Sequence, residues 1–319
     1  MTGQKMTRLG LAQRYRLAAF ALAASCAALS APLAAQDPEA SEAAPQAAEP
    51  PEGSVGGMGD INLFPKRVVI DGRREIATIG LYNKTINEGD YEILLQDMIM
   101  TPDGQLTLFD NGVSEADKAK VQTASGFLRY SPRRVTLRGG ESQTIRLMAR
   151  ADGEIPDGEY RSHFLALSVP RDVDEGFSID DALSDGEPGG IGVTIRPRFG
   201  ISIPVIVRIG QTTLQVGLSD PQIVTMPDGT KALGSTIDRS GTRSACGDLV
   251  VTARGAGEPV ALARGIGVYP EVDQRKVLLP LNPQTDPRFL APGAQWTITY
   301  TDDDFEPGAE LAETVFTVP

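Results

Sequence analysis

The alternation of apolar and polar side chains is most regular in residues 191–208. The odd positions of this stretch are mainly apolar, whereas most of the even positions carry polar residues or glycine. This period of two predicts a β-strand with one apolar face. At 18 residues the strand is about three times the usual length, and it exceeds what a sandwich of ~100 residues needs for its own core. We therefore predict that part of its apolar face is free to contact another molecule.

Two prolines within this stretch bear on its place in the sheet. Pro197 and Pro204 have no main-chain N–H group to donate to a neighbouring strand. Prolines in strands occur mainly at sheet edges, so we predict that part of the strand lies at an edge and can pair with a second chain. A second interpretation stays open, in which the strand passes from one packed sheet to another.

Shorter runs of β-branched residues, separated by turn residues, occupy the chain on both sides of this strand. Those before it predict strands in residues 66–70, 76–82, 91–100, 127–147 and 157–167. The run at 127–147 contains Gly139-Gly140 and predicts a hairpin-like unit. The polar residues 111–125 predict a surface excursion with one or two helical turns.

Seven further runs follow the long strand and predict strands at residues 214–218, 231–237, 247–253, 260–269, 276–281, 295–301 and 312–318. The whole pattern predicts an all-β protein with two immunoglobulin-like β-sandwich domains. We place the first domain at residues 59–208 and the second at residues 209–319, because Arg208-Ile209-Gly210 closes the long strand.

The first 58 residues have a different composition. Residues 1–35 begin with basic residues, continue with a short apolar run and end with small residues, which predicts a secretory signal peptide and a location outside the cytoplasm. No later apolar run is long enough to span a membrane. Residues 36–58 are rich in Ala, Pro and Glu and predict a disordered tether. Whether Cys26 carries a lipid is left open.

Charge and composition narrow the classes of function. The formal net charge of −12 and the pI of about 4.7 argue against binding to nucleic acid or to an anionic membrane surface. Once Cys26 is removed with the signal, Cys246 is the single cysteine, so we expect no internal disulfide. The chain has one histidine, His163, and has neither a phosphate-binding loop nor a nucleophile elbow. We expect no enzymatic activity, no cofactor and no metal site.

Four single features have an ordinary structural interpretation. We expect His163 to be a half-buried strand residue, Cys246 to be an unreactive buried or turn residue, and Trp296 to lie in a core. The acidic run Asp302-Asp303-Asp304 is expected to be solvated loop charge rather than a calcium site, because EF-hand spacing is absent.

The order of strands and turns in residues 59–208 resembles the N-terminal domain of periplasmic pilus-assembly chaperones of the PapD type. The resemblance lies in the long last strand and in the pieces Arg67-Val68-Val69, Ile79-Gly80-Leu81-Tyr82-Asn83, Pro132 to Leu147, and Asp157-Gly158-Glu159-Tyr160-Arg161. Residues 209–319 are similar to the second chaperone domain in position and strand rhythm. The resemblance implies a divergent branch and a boomerang arrangement whose cleft faces Arg67.

The resemblance also implies a function for the long strand. In this family the chaperone lends its strand to a pilin subunit whose own fold lacks one. The side chains that the resemblance implies for filling the subunit's groove are Val193, Ile195, Phe199, Ile201 and Ile203.

A second implied feature is a pair of basic residues that hold the subunit's C-terminal carboxylate. Arg67 matches the first of them, and a guanidinium suits a carboxylate because it can bond in a bidentate manner. The second, a lysine, has no match, because its place falls on Ser202 or Pro204. Arg198 is the nearest substitute, and whether it replaces the lysine is left open.

Two hypotheses about function result. In the first, the protein is a periplasmic chaperone that binds, folds and caps secreted pilus- or coat-like subunits by donor-strand complementation, with an outer-membrane usher as a further candidate partner. In the second, it is an envelope or surface β-sandwich protein with a structural or partner-binding role and no folding activity. The identity of the subunit and the oligomeric state are left open.

Overall fold

The structure, a computed structural model, describes residues 60–170 and 198–319 and the backbone of residues 55–56. All of them belong to one compact unit, Pro45–Pro319. The predicted signal peptide, Cys26 and most of the predicted tether lie outside the described residues. So does the first part of the long strand, including Val193 and Ile195.

Two five-stranded sheets form a first β-sandwich. One contains, in spatial order, β1 (Val55–Gly56), β2 (Ile61–Phe64), β4 (Ile76–Asn83), β10 (Ser142–Ala149) and β8 (Leu128–Ser131). The other contains β3 (Val68–Asp71), β12 (Gly200–Ile209), β11 (Gly158–Val169), β5 (Gly89–Gln96) and β9 (Arg134–Leu137). Side chains from both sheets share one core, with Leu63, Ile79 and Ile145 from the first and Phe164 and Val205 from the second. The alternation of apolar residues along each strand produces this burial.

An arm leaves the first sandwich after β5. It consists of β6 (Met98–Met100) paired with β7 (Leu106–Leu108), followed by the single-turn helix α1 (Glu115–Lys118). The sequence predicted one strand over residues 91–100, but the strand is interrupted at Asp97. The carboxylate of Asp97 accepts hydrogen bonds from the hydroxyl groups of Ser125 and Ser162. These bonds hold the chain where it turns out of the sheet.

Seven strands form a second sandwich, as predicted. One sheet has the order β13 (Leu214–Thr225), β14 (Lys231–Gly241) and β17 (Gln274–Pro280). The other has the order β16 (Ala261–Val268), β15 (Ala245–Ala253), β18 (Gln295–Asp302) and β19 (Glu310–Thr317), with a 3₁₀ helix at Pro287–Phe289 before β18. Their shared core is built around Trp296, Leu249 and Leu279, and the prediction that Trp296 is a core residue is confirmed.

The prediction of a hairpin around Gly139-Gly140 is wrong. The strand before this turn, β9, pairs with β5, whereas the strand after it, β10, pairs with β4 and β8. The turn therefore connects the two sheets of the first sandwich across their shared core. Leu137 and Ile145, one on each side of the turn, are both buried in that core, so this connection buries more apolar surface than a hairpin exposed on one face.

The chain passes from the first sandwich to the second at Gly210. Its φ of +63° lies in the left-handed region, where glycine carries no steric cost. A Cβ atom at this position would lie 2.0 Å from the carboxyl carbon of Asp157, whose carboxylate accepts the N–H of Gln211 at 3.1 Å. The all-β architecture of two sandwiches is thus confirmed. The exact domain bounds predicted from the sequence stay a prediction.

Candidate functional site

The first half of β12 lies at an edge of its sheet within the described residues. Strand β11 pairs with β12 in register from Gly200 to Ile209, but β3 pairs with it only from Val205 to Arg208. The N–H of Ser168 donates to the carbonyl oxygen of Phe199 at 2.8 Å, so the main-chain groups of odd-numbered residues face β11. Those of residues 200 and 202 therefore point away from β11, where no described strand pairs with them. The edge predicted from the prolines is confirmed for this segment.

The side chains along β12 change from buried to exposed toward its N-terminal end. Ile203 and Val205 belong to the core of the first sandwich, and Ile203 is only 1% exposed. Ile201 is partly buried against the same core, and Phe199 is 43% exposed. The apolar row thus emerges from the core at residues 199–201. The binding roles assigned to these residues, and to Val193 and Ile195, stay predictions.

Arg67 lies between the two sandwiches and is already engaged in ion pairs. Its Nη2 donates to Oδ1 of Asp303 at 2.9 Å and to the carbonyl oxygen of Asp303 at 3.0 Å, and its Nε lies 3.7 Å from Oδ1 of Asp304. Lys66 Nζ donates to the other oxygen of Asp303 at 2.6 Å. Burial alone would lower the pKa of Arg67, but the nearby negative groups outweigh it and hold that pKa above its ordinary value.

A second arginine completes this group. Arg208, on β12, pairs with the carboxylate of Asp304 and donates from Nε to Oε2 of Glu159 at 3.2 Å. The other carboxylate oxygen of Glu159 accepts the hydroxyl of Ser244, in the second sandwich, at 2.6 Å. We refer to Lys66, Arg67, Glu159, Arg208, Asp303 and Asp304 together as the ionic cluster. The ionic cluster joins the bend before β3, together with β11 and β12 of the first sandwich, to the loop after β18 in the second.

The prediction that Asp302–Asp304 is solvated loop charge is wrong. Asp302 is buried, the side chain of Asp304 is 5% exposed, and Asp303 is largely covered by its two basic partners. The carboxylate of Asp302 accepts the main-chain N–H groups of Asp304, Phe305 and Glu306 at 2.7, 3.1 and 3.1 Å, which fixes the loop. The residue pattern gave no sign of this, because the arginines lie far away in the chain.

The structure does not bring Arg198 and Arg67 together. Arg198 lies just before β12, where its guanidinium donates to Oε2 of Glu92 and to the carbonyl oxygen of Ser168, each at 3.1 Å. The ionic cluster lies at the other end of β12, at Arg208, so about 30 Å of strand separates the two arginines. On β12, the last strand of the first sandwich, the basic residue near Arg67 is Arg208, since both pair with Asp304. Sequence reasoning missed Arg208, although its place on the polar face of the strand was visible.

A second buried ion pair joins the sandwiches. Arg161, on β11, donates from Nη1 to Oε2 of Glu271 at 3.1 Å and from Nη2 to Oε1 at 2.6 Å. The guanidinium lies over the ring of Tyr269 at 3.6 Å and also donates to the carbonyl oxygen of Met98. Glu271 accepts the N–H of Met100 at 2.9 Å, so this pair also holds the arm.

His163 lies in the same interface and is more deeply buried than predicted. It is 1% exposed, and neither ring nitrogen has a hydrogen-bond partner among the described residues. Its ring packs edge-on against the ring of Tyr269, and the two ring centroids are 6.3 Å apart. Burial, and then the charge of Arg161, lower the pKa of His163 to about 3. His163 is therefore neutral and structural.

Cys246 is a buried thiol, as predicted, and burial raises its pKa to about 12. In residues 60–170 and 198–319, no group of three or more acidic, cysteine or histidine side chains is placed to hold a metal ion. No helix in this part of the chain has the length and apolar character needed to cross a membrane. A cavity of about 400 Å³ opens at the ionic cluster, and a larger one of about 1210 Å³ lies between the arm and strands β13 and β14.

No protein-family model and no curated protein matches the chain. Among solved structures, the YadV chaperone aligns with 81% of this chain and 100% of its own, at 14% identity and a TM-score of 0.42. The class 5 fimbriae chaperone CfaA aligns with 81% of this chain and 99% of its own, at 15% identity and a TM-score of 0.40. A third match is the pre-assembly complex of CsuC with the tip adhesion subunit CsuE, from the archaic chaperone-usher Csu pili of Acinetobacter baumannii. It covers 81% of this chain and 97% of its own, at 11% identity and a TM-score of 0.40. The solved structures that match are fimbrial chaperones, as the resemblance predicted, and the assignment to a divergent branch stays a prediction.

Proposed function

We propose that the protein is a periplasmic chaperone that binds secreted pilus- or coat-like subunits and completes their fold by lending them the edge of β12. One observation carries this proposal. The main-chain groups of residues 200 and 202 face away from β11 with no described strand beside them, and the exposed Phe199 adjoins them. An unpaired strand edge with apolar side chains is what strand addition requires, because the main chain supplies affinity and alternate side chains supply specificity.

The energetics indicate how much of the strand must take part. Full burial of Phe199 and Ile201 contributes at most about 3–6 kcal/mol, and less here because Ile201 is already partly covered. Association costs about 4–15 kcal/mol in lost freedom of motion. These two side chains therefore offset only the lower part of this cost. The proposal requires contributions from residues before Arg198, with Val193 and Ile195 as the candidates.

A second function is favoured by two observations. The guanidinium of Arg67 is paired with Asp303 and Asp304, and Ile203 is part of the protein's own core. Both would also be expected of an envelope or surface β-sandwich protein that binds a partner or builds structure without folding subunits. The two functions differ in what the edge of β12 does, so variants of this edge distinguish them.

The test is co-expression in the periplasm with candidate subunits, chosen as small secreted proteins whose genes adjoin this one. We expect the wild-type protein to protect a subunit from proteolysis and to purify with it. Phe199→Asp and Ile195→Asp should each abolish the complex, because a charge would have to enter the subunit's apolar groove. The matched control is Val315→Asp, which places the same charge at a residue that is 61% exposed and lies on β19 of the second sandwich. An unchanged yield of complex with Phe199→Asp and Ile195→Asp would overturn the proposal.

A further inference from the structure

Asp303 and Asp304 are adjacent in sequence, but the structure holds them differently. The side chain of Asp304 is 5% exposed and paired with Arg208, which Glu159 holds in turn. The side chain of Asp303 is 18% exposed, and one of its two basic partners, Lys66, is 49% exposed. Asp303 is the more exposed of the two carboxylates, and solvent weakens its pair with Lys66, so it is the one that a ligand can reach and replace.

Asp303 can move without rearranging its loop. The three N–H groups that follow it in the loop are bound by the carboxylate of Asp302, and the N–H of Asp303 itself donates to the carbonyl oxygen of Cys246 at 3.1 Å. A change of side-chain rotamer is therefore enough to take the Asp303 carboxylate away from Arg67. The ion pairs of Arg208 with Glu159 and Asp304 would stay in place.

There is room at Arg67 for another carboxylate. The cavity of about 400 Å³ at the ionic cluster is lined by Pro65, Lys66, Arg67, Asp303 and Phe305, among others. A cavity of this size accommodates the end of a peptide chain. With Asp303 turned away, Lys66 and Arg67 would present two cations to this space, with the ring of Phe305 beside them.

From this geometry we infer that Asp303 is an internal carboxylate that occupies Arg67 and is displaced by the C-terminal carboxylate of a bound subunit. The inference rests on the proposed function and on the carboxylate-binding role that the family resemblance implies for Arg67. It assigns to Asp303 the control of affinity at this site. A ligand carboxylate gains the bonds from Arg67 and Lys66 only by exchanging with Asp303, so binding is weaker than an unoccupied pair of cations would allow.

The experiment uses acetate as the probe, since it is the simplest carboxylate and needs no subunit. Acetate replaces chloride at constant ionic strength, and the ¹⁵N–¹H signal of the Arg67 Nε–H group is followed by NMR, with its assignment fixed by Arg67→Gln. We expect Asp303→Asn and Asp303→Ala to lower the half-saturating acetate concentration by about fivefold, the size expected for a partly screened ion pair. The matched control is Asp152→Asn, which removes an equal charge from the exposed pair with Arg74.

Equal half-saturating concentrations in the wild type and both Asp303 variants would overturn the inference. So would the absence of any acetate response at Arg67 in all of them. The outcome is separate from that of the proposed function. If acetate binds more tightly to the Asp303 variants while Phe199→Asp and Ile195→Asp leave subunit yield unchanged, exchange at Arg67 stands and donation of the β12 edge fails.

Discussion

His163 makes the free energy of unfolding depend on pH, and substitution of this one residue isolates its contribution. The ordinary pKa of histidine, 6.5, applies to the unfolded chain, whereas burial and Arg161 lower the pKa of His163 in the folded protein to about 3. Between these values the unfolded chain binds a proton that the folded protein does not. Stability is therefore full above pH 6.5, falls as the pH drops from 6.5 toward 3, and changes no further from this group below 3.

The size of the effect follows from the two pKa values. This histidine should reduce the free energy of unfolding by about 2 kcal/mol at pH 5 and about 3 kcal/mol at pH 4, relative to pH 7.5. Carboxylates also titrate at low pH, but they do so equally in a variant without His163. The measured quantity is therefore the difference in pH dependence between the wild type and the variant.

The assay is urea denaturation at pH 7.5, 5 and 4 of the wild type, His163→Leu and His163→Gln. We expect the wild type to lose about 2 kcal/mol more than either variant between pH 7.5 and 5. His163 is the only histidine of the chain, so in a protein without a histidine tag the ring proton Hε1 should give one NMR signal, and it should not shift over this range. Equal losses in the wild type and both variants, or a signal that titrates near pH 6.5, would refute the reasoning.

Three other substitutions or probes test single contacts. Arg161→Met leaves the buried carboxylate of Glu271 without its partner, so we expect a loss of about 3–5 kcal/mol in denaturant titrations, with part of it recovered in Arg161→Met/Glu271→Met; equal losses would contradict this. Gly210→Ala should cost about 1–2 kcal/mol, because φ is positive there and a Cβ meets the carboxylate of Asp157; an unchanged midpoint would count against it. Cys246, whose pKa burial raises to about 12, should react with a thiol reagent only at the rate of unfolding once the predicted signal is removed, and rapid labelling of the native protein would show this to be wrong.

The strands themselves were predictable because burial follows the alternation of residues. In β12 the odd positions from Ile203 to Ile209 lie in the core, as the period of two predicts. The pairing of strands was less predictable. A strand, two glycines and a second strand occur both in hairpins and in connections between sheets, and only the burial of Leu137 and Ile145 in a common core decides between them.

The ionic cluster was not predictable from local sequence. Asp303 and Asp304 look like loop charge because their partners Arg67 and Arg208 lie 236 and 96 residues away in the chain. Arg67 was identified as a candidate through a family resemblance, but its engagement by Asp303 depends on how the two sandwiches meet. Sequence patterns report the environment along one strand, whereas such pairs are set by tertiary packing.

Met100 has a consequence for the order in which the molecule is completed. This residue leaves the first sandwich on the arm and is buried in the core of the second, which also contains Leu233 and Trp296. Because ribosomes make the chain from its N-terminus, Met100 is synthesised well before the residues that cover it. The apolar side chain of Met100 therefore stays exposed to solvent until the second sandwich has been synthesised. A chain truncated before β13 would keep that side chain in water and would be prone to aggregate.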